Sequence, residues 1–477
     1  MNKLKMFLEN FLVYGLGSII SKFIPLLMIP LITRLMPDST YFGISDLSNT
    51  MTSFMCAIAI MGMYDAMYRM FFEKENEEYK KSICSTTLVF TLITSLLVFV
   101  FMLFYQETFA QIFFGDKKYS YLIYITAIAT LVGATNSIIS APTRMQNKKK
   151  IFLITNTISP ILSYAISIPL LFHGHYIIAL PIAGVISGFT IEITFFIMNH
   201  QWFNWKRFDF ALLKQLLVIA LPLFPNFLIY WIFNSSDKLM ITNLLNVSET
   251  GIYSIGSKLG HASQLIYTAF AGGWQYFAFS TMKESNQVKL NSLIFEYLGI
   301  ISYIVFAFIC VWSYKIYQIL FIGDYVNGYI VAPYLFLAPL LQMLYQVAGN
   351  QFLIIKKTWP NMLILSSGAI LNIIINLTLI PTCGIEGAAI ATLIGYIISN
   401  IICVIVLIKM HLMELSKKFI LCTLIMSGYV IFWRFFLTEN ITIGTLASTI
   451  LVIIFSIFYK EDIIKLINEI KININSK

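Results

Sequence analysis

Long apolar stretches separated by short polar breaks recur along the whole chain. A helix needs about 20 mostly apolar residues to cross a bilayer. By that length the pattern predicts spans near 9–35, 41–67, 83–105, 119–142, 151–172, 177–199, 213–243, 249–279, 292–313, 328–350, 360–380, 385–408, 417–436 and 440–459. The seventh is overlong and polar at its outer end, where Asn234-Ser235-Ser236-Asp237-Lys238 is expected to interrupt or tilt the helix. After the last span Ile463, Ile464, Ile467, Ile470 and Ile474 recur at helical spacing, which predicts an amphipathic helix on the inner surface. The opening MNKLKMFLENFLVYGLGSIISKF has the basic-then-apolar start of a signal peptide. No small-residue cleavage site follows and the apolar pattern runs to Met36, so the segment reads as the first span.

Composition agrees with this pattern. Of 477 residues 58% are apolar and 12% charged, against about 45–50% and 25% in a soluble protein. So little charge cannot cover a water-soluble globule, which excludes a cytosolic enzyme, a secreted domain and a nucleic-acid reader. The net charge of +9 is a matter of topology. With the N-terminus placed in the cytoplasm, 24 of the 32 Lys and Arg fall on inner ends and loops and four on outer loops (Arg34, Lys117, Lys118, Lys315). The remaining four, Lys22, Lys238, Lys258 and Arg434, fall inside spans. Positive residues concentrate on the cytoplasmic side, so an even number of spans with both termini inside is expected. The six cysteines stand singly in apolar runs and suggest neither a disulfide framework nor a metal site.

An offset of 208 residues brings several turn features into register. Gly43-Ile44 falls on Gly251-Ile252, Phe113-Phe114-Gly115-Asp116 on Phe321-Ile322-Gly323-Asp324, Tyr121 on Tyr329, and Lys148-Lys149 on Lys356-Lys357. The expected organisation is a six-helix bundle over 1–208, a second over 209–412, two further spans over 413–459 and a cytoplasmic tail over 460–477. Six spans per copy make the repeat parallel. Such transporters bind substrate between bundles near the midplane and rock one bundle against the other.

Charges inside spans are costly and need a reason, about 2.5–3.5 kcal/mol each at a helix centre. Tyr14, Ser18 and Lys22 share one stripe of the first span, and Asp46 lies on the second with Thr50 and Ser53 on its face. Ser254, Lys258, His261 and Gln264 form a stripe on the eighth, and Asp237 and Lys238 lie near the outer end of the seventh. None of these charges repeats at the 208 offset, where Asp46 falls on Ser254 and Lys258 on Thr50. Three lysines against two carboxylates leave a positive cavity suited to an anionic substrate, with ammonium groups pairing to phosphate oxygens as point charges. Arg434 can snorkel to an interface, which leaves it an auxiliary or lipid-facing part. No Walker A, HExxH or GxSxG motif occurs, and His173 and His175 alone make no metal site. The driving force is therefore expected from a H+ or Na+ gradient, the membrane potential or the substrate gradient, with no cofactor.

The segments YGLGSIISKFIPLLMIPLITRLM (14–36), YFGISDL (41–47), LPLFPNFLIYWIFNSSDKLMI (221–241), GIYSIGSKL (251–259) and LIPTCGIEGAAIATLIGY (379–396), in this order, resemble a known family. They are similar to the polysaccharide repeat-unit flippases, the Wzx-type O-antigen and capsule exporters of the multidrug/oligosaccharidyl-lipid/polysaccharide exporter superfamily. The resemblance implies an all-α protein of about 14 spans around a V-shaped central cavity. It also implies flipping of an undecaprenyl-diphosphate-linked oligosaccharide between leaflets of the bacterial cytoplasmic membrane, beside a polymerase and chain-length machinery. In the lipid II flippases of the same superfamily, basic side chains on helices 1, 2 and 8 line the cavity. Lys22 and Lys258 match by position, whereas helix 2 here carries Asp46 and Thr50. Two other readings are an ion-coupled exporter of amphipathic drugs, which would prefer a carboxylate-rich cavity and twelve spans, and a membrane-embedded polymerase, which would need large outer loops.

Overall fold

The computed structural model describes residues 23–357, 359–438, 440–462 and 464, and every regular element among them is helical. Ser18, Lys22 and the tail beyond Ile464 lie outside the described residues. Contacts group the described chain into two compact units.

The first unit comprises the described residues through Lys258 together with Phe321–Gly328 and Leu365–Thr392. Its helices are α1 (Phe23–Leu35), α2 (Ser39–Ile60), α3 (Met63–Phe71), α4 (Glu77–Phe104), α5 (Gln106–Phe114), α6 (Leu122–Met145), α7 (Lys149–Phe172), α8 (Ala179–Asn199) and α9 (Phe210–Leu244). Most of α10 (Val247–Gly260) also belongs to it. Helix α6 packs against α2, α4 and α8, while α9 packs against α2, α3, α4 and α5. Methionines fill much of the core, with Met51, Met63 and Met67 fully buried. An unbranched thioether suits the irregular gaps between crossing helices.

Threonines inside the spans return their hydroxyl hydrogen bonds to carbonyls one turn back, as Thr126 and Thr130 do on α6. A span can therefore carry hydroxyls without leaving them unsatisfied in hydrocarbon. The same device corrects the expected interruption of the seventh span. Helix α9 runs unbroken through Asn234–Lys238, because Asn234 Nδ2 and Ser236 Oγ donate to the carbonyls of Tyr230 and Ile232. The expected second span is the one that bends. Helices α2 and α3 meet at 50° across Met61 and Gly62, both with positive φ. A Cβ on Gly62 would lie 2.5 Å from the carbonyl oxygen of Ala220 on α9, so only glycine fits this corner.

The second unit comprises Leu259–Leu320, Tyr329–Ile364 and the described residues from Leu393 onward. It holds α11 (Gln264–Ser280), α12 (Gln287–Leu320), α13 (Ala332–Ile354), α15 (Lys417–Phe432) and α16 (Ile441–Phe458), and α12 packs against α13, α15 and α16. The buried Glu296 of α12 accepts hydrogen bonds from the backbone N–H and Oγ of Ser416, both at 2.7 Å, and from Tyr459 Oη at 3.2 Å. One carboxylate thereby ties the start of α15 and the end of α16 to α12.

Helix α14 (Trp359–Lys409) has 51 residues, about 76 Å at 1.5 Å per residue and more than twice the hydrocarbon thickness. Gly384, with φ 60° and ψ −143°, divides it, between the expected eleventh and twelfth spans. The expected eighth span is broken by the 3-10 turn His261–Ser263 between α10 and α11. Nine helices among the described residues are long and apolar enough to cross a membrane, or eleven when each bent pair counts as one. The difference from fourteen lies in the first span, of which Phe23–Leu35 is the part that falls among the described residues, the broken α10–α11 stretch and the single long α14. Gly115 and Gly323, equivalent at the 208 offset, both take positive φ (72° and 59°).

Candidate functional site

The site grows from two stripes of identical spacing. Ser39, Gly43, Asp46 and Thr50 lie on one face of α2; Val247, Gly251, Ser254 and Lys258 lie on one face of α10. Steps of four, three and four keep each set on one side of a helix, and the two sets are related residue for residue by the 208 offset. The structure lays these faces against each other. A Cβ on Gly43 would sit 2.4 Å from the carbonyl oxygen of Val247, and one on Gly251 would sit 1.9 Å from that of Ser39. Those two contacts are reciprocal under the offset, the pattern of a local two-fold axis. Ser39 and Ser248 hydroxyls meet at 2.6 Å beside it.

Close approach of the backbones brings their side chains together one turn further on. Ser254 Oγ donates to Asp46 Oδ2 at 2.8 Å, so the offset-related pair is itself hydrogen-bonded. Lys238 Nζ of α9 lies 2.6 Å from Asp46 Oδ2, and Lys258 Nζ lies 3.0 Å from Oδ1. Lys258 also stands over the Phe42 ring, 5.3 Å from its centroid. The Asp46 side chain is 5% exposed, that of Lys238 16% and that of Lys258 37%. Two ammonium groups on one buried carboxylate leave a net positive charge. Each ammonium carries three donors, so neither is exhausted by Asp46, and Lys258 has the more open side. The arrangement can hold an anion.

Asp237, the neighbour of Lys238, faces a different set. Its carboxylate accepts from Tyr253 Oη (2.7 Å), Thr392 Oγ1 (2.5 Å), Asn376 Nδ2 (2.7 Å) and Asn372 Nδ2 (3.5 Å). Only neutral groups appear among these partners. Asn376 Oδ1 is buried with no hydrogen-bond partner among the described residues. Lys238 and Ser254 serve Asp46, while their chain neighbours Asp237 and Tyr253 form the second cluster. The two groups are thus joined by single-residue steps on both α9 and α10.

Of the residues singled out from the sequence, the structure brings together Asp46, Lys238, Ser254 and Lys258. Asp237 lies in the adjoining cluster rather than among the lysines and is buried, and Lys238 is largely shielded. His261 falls in the 3-10 turn, Gln264 opens α11 and Arg434 lies half-buried in the π-helical turn Trp433–Leu437, so the expected stripe of four on one helix ends at Lys258. Sequence reasoning missed Tyr253, Asn372, Asn376 and Thr392. Their one signal was Asn372 and Asn376, four residues apart in an otherwise strongly apolar span. Among the described residues no group of three or more His, Cys, Asp or Glu could hold a metal ion.

The sequence profile of a family described as polysaccharide biosynthesis protein matches residues 31–327. The chain is similar in structure to the lipid II flippase MurJ in its inward closed conformation, with a TM-score of 0.71 and 17% identity over 95% of this chain and 99% of that one. It is also similar to a multidrug resistance MATE family transporter of the MOP superfamily in its inward-facing conformation, with a TM-score of 0.58 and 14% identity over 83% and 98% of the two chains. A MATE protein in the straight conformation gives 0.57 and 13% over 85% and 95%. No curated protein matches the chain. At these identities the likeness establishes the fold, that of multi-pass membrane transporters.

Proposed function

Because the chain belongs to the polysaccharide biosynthesis protein family and has the fold of MOP superfamily transporters, we propose that it is a flippase for lipid-linked oligosaccharides. Its substrate in this reading is an undecaprenyl-diphosphate-linked repeat unit, carried from the inner to the outer leaflet of the bacterial cytoplasmic membrane for O-antigen or capsule assembly. Both termini face the cytoplasm, and a polymerase with its chain-length machinery takes the product. The observation that carries this reading is the convergence of Lys238 and Lys258 on the single carboxylate of Asp46. Likeness to a lipid II flippase over 95% of the chain adds support for a lipid-linked substrate.

A diphosphate competes with Asp46 for the two ammonium groups, offering more charge and more acceptor oxygens than one carboxylate. In doing so it loosens the ion pairs that tie α2 to α9 and α10. Substrate binding thereby becomes a change in helix contacts, the differential interaction that alternating access requires. Lys22 is included in the site on its sequence position alone. We further propose that Asp237, with Asn372, Asn376 and Thr392, takes the coupling H+ or Na+. The orphan Oδ1 of Asn376 and the purely neutral partners of Asp237 fit either ion. A bound cation there would be felt at Asp46 through the adjacent residues Lys238 and Ser254.

The test is reconstitution in proteoliposomes, with lipid-linked oligosaccharide loaded on one side and its exposure on the other read by an impermeant lectin. Loss of a charge-assisted contact converts to roughly ten- to hundred-fold, and the expected result is a slowing of that order in Lys238→Ala and Lys258→Ala. Asp237→Asn is expected to abolish the response of that rate to an imposed Na+ or H+ gradient. Unchanged rates in both lysine variants would remove the anion-site argument, and a persisting gradient response would remove Asp237 from coupling.

A further inference from the structure

The first unit contains a second polar enclosure, at the other end of α2 from Asp46. It is a cavity of about 430 Å³, within the usual size of small-molecule sites, about 300–1,000 Å³. Two polar stripes face it: Asn136, Ser137 and Ser140 of α6, and Thr155, Asn156 and Ser159 of α7. Each recurs at helical spacing, so each span presents one polar face to a shared space rather than to lipid. Asn136 Oδ1 is buried there with no hydrogen-bond partner among the described residues. In a transmembrane bundle such an acceptor is costly unless a ligand or water satisfies it.

The rest of the lining gives the chemistry of the occupant. Aromatic rings from four helices, Tyr64, Phe152, Phe195 and Phe227, contribute apolar faces. Charges stand at the rim only: Asp65 and Arg144 are both exposed, Arg144 Nη1 donates to Tyr64 Oη at 3.4 Å, and its guanidinium lies 4.6 Å from the Phe152 ring centroid. Neutral donors and acceptors inside, with ring faces between them, match a ligand that alternates hydroxyls and CH faces. That describes a sugar ring. An amphipathic cation would want a carboxylate inside the cavity, and among the described lining residues the one carboxylate, Asp65, lies at the rim.

Position supports the same occupant. Ala57 lines the cavity and lies eleven residues beyond Asp46 on α2, about 16 Å along the axis, a separation that a short oligosaccharide bridges. In sequence, the lining residues Arg144 and Phe152 bracket Lys148 and Lys150, in the segment that the distribution of positive charge assigns to the cytoplasm.

We propose that this cavity is a saccharide-loading subsite, which takes the neutral sugar portion of the lipid-linked substrate from the cytoplasmic side. The assignment rests on the flippase reading above and adds to it a place where the sugar, not the diphosphate, is recognised.

The experiment uses the full-length protein in nanodiscs and two probes. One is the lipid-linked oligosaccharide extracted from cells lacking the gene; the other is undecaprenyl diphosphate without sugar. Wild type is expected to bind the sugar-bearing probe more tightly. Loss of the neutral hydrogen bonds in Asn136→Leu/Asn156→Leu is expected to cut that preference about ten-fold, with the affinity for the bare diphosphate unchanged. The unchanged bare-lipid affinity also reports that the variant is folded. Ser140→Phe, which fills the cavity without removing an amide, is expected to do the same. A preference retained in both variants, or equal binding of the two probes by wild type, would overturn the subsite and leave the flippase reading standing. Failure of wild type to bind either probe would overturn the flippase reading and the subsite with it.

Discussion

Asp46 holds the local charge balance. Removing one member of a buried ion pair leaves the other uncompensated, at a cost of about 3–5 kcal/mol. Here two ammonium groups depend on the same carboxylate, and the less exposed one, Lys238, has the fewer alternatives. Asp46→Ala is therefore expected to lower the thermal stability of the purified protein by an amount in that range. Lys238→Met added to Asp46→Ala should recover part of the loss, whereas Lys258→Met should recover less because its side chain is the more exposed of the two. A double-mutant cycle on unfolding midpoints checks this; equal recovery by both second substitutions would contradict the ordering. Depth in a span was enough to single out Asp46 and Lys258 from the sequence, since a charge in hydrocarbon demands a reason, whereas Lys238 was placed near the outer end of its span. Which charges pair was not legible, because pairing depends on the rotation of three helices about their axes. That is how Asp237 came to be grouped with the lysines, although it turns to two asparagines and a threonine distant in sequence.

At the scale of elements, the close crossing of α2 and α10 depends on glycine at two offset-related positions. A Cβ on Gly251 would meet the Ser39 carbonyl at 1.9 Å, and that carbonyl is backbone, which cannot rotate away. Gly251→Ala should thus force the helices apart and lower stability by more than the typical ~1 kcal/mol of a point substitution. The same change at Gly184 of α8, where no atom lies within 4 Å, should be neutral or stabilising by about 0.5–1 kcal/mol through helix propensity. Thermal unfolding of the two variants beside wild type measures the difference. Helix positions were legible in the sequence because apolar length decides them in a bilayer. Breaks were not: the polar run at Asn234–Lys238 continues as helix because its side chains bond back to the preceding turn, while the apolar run through Met61-Gly62 bends because α9 approaches too closely for a side chain.

At the scale of the whole molecule, the 208-residue offset was visible from a handful of turn residues, and its consequence is concrete in Gly43 against Gly251 and Asp46 against Ser254. The chain repeats its scaffold and varies the charges on it. A carboxylate on one copy thereby meets lysines on the other, and a diphosphate can contest that contact. In the proposed flippase this exchange sits at the centre of lipid-linked oligosaccharide transfer. The decisive experiment is the sidedness of the intermediate in spheroplasts lacking the gene, probed with a membrane-impermeant lectin or glycosidase. The lipid-linked oligosaccharide is expected to accumulate and to become reachable only after permeabilisation. The wild-type gene, but not a Lys238→Ala/Lys258→Ala version expressed at equal level, should restore exposure. Accumulation of an intermediate already exposed on the outer surface would contradict the flippase reading and move the protein to a step after translocation.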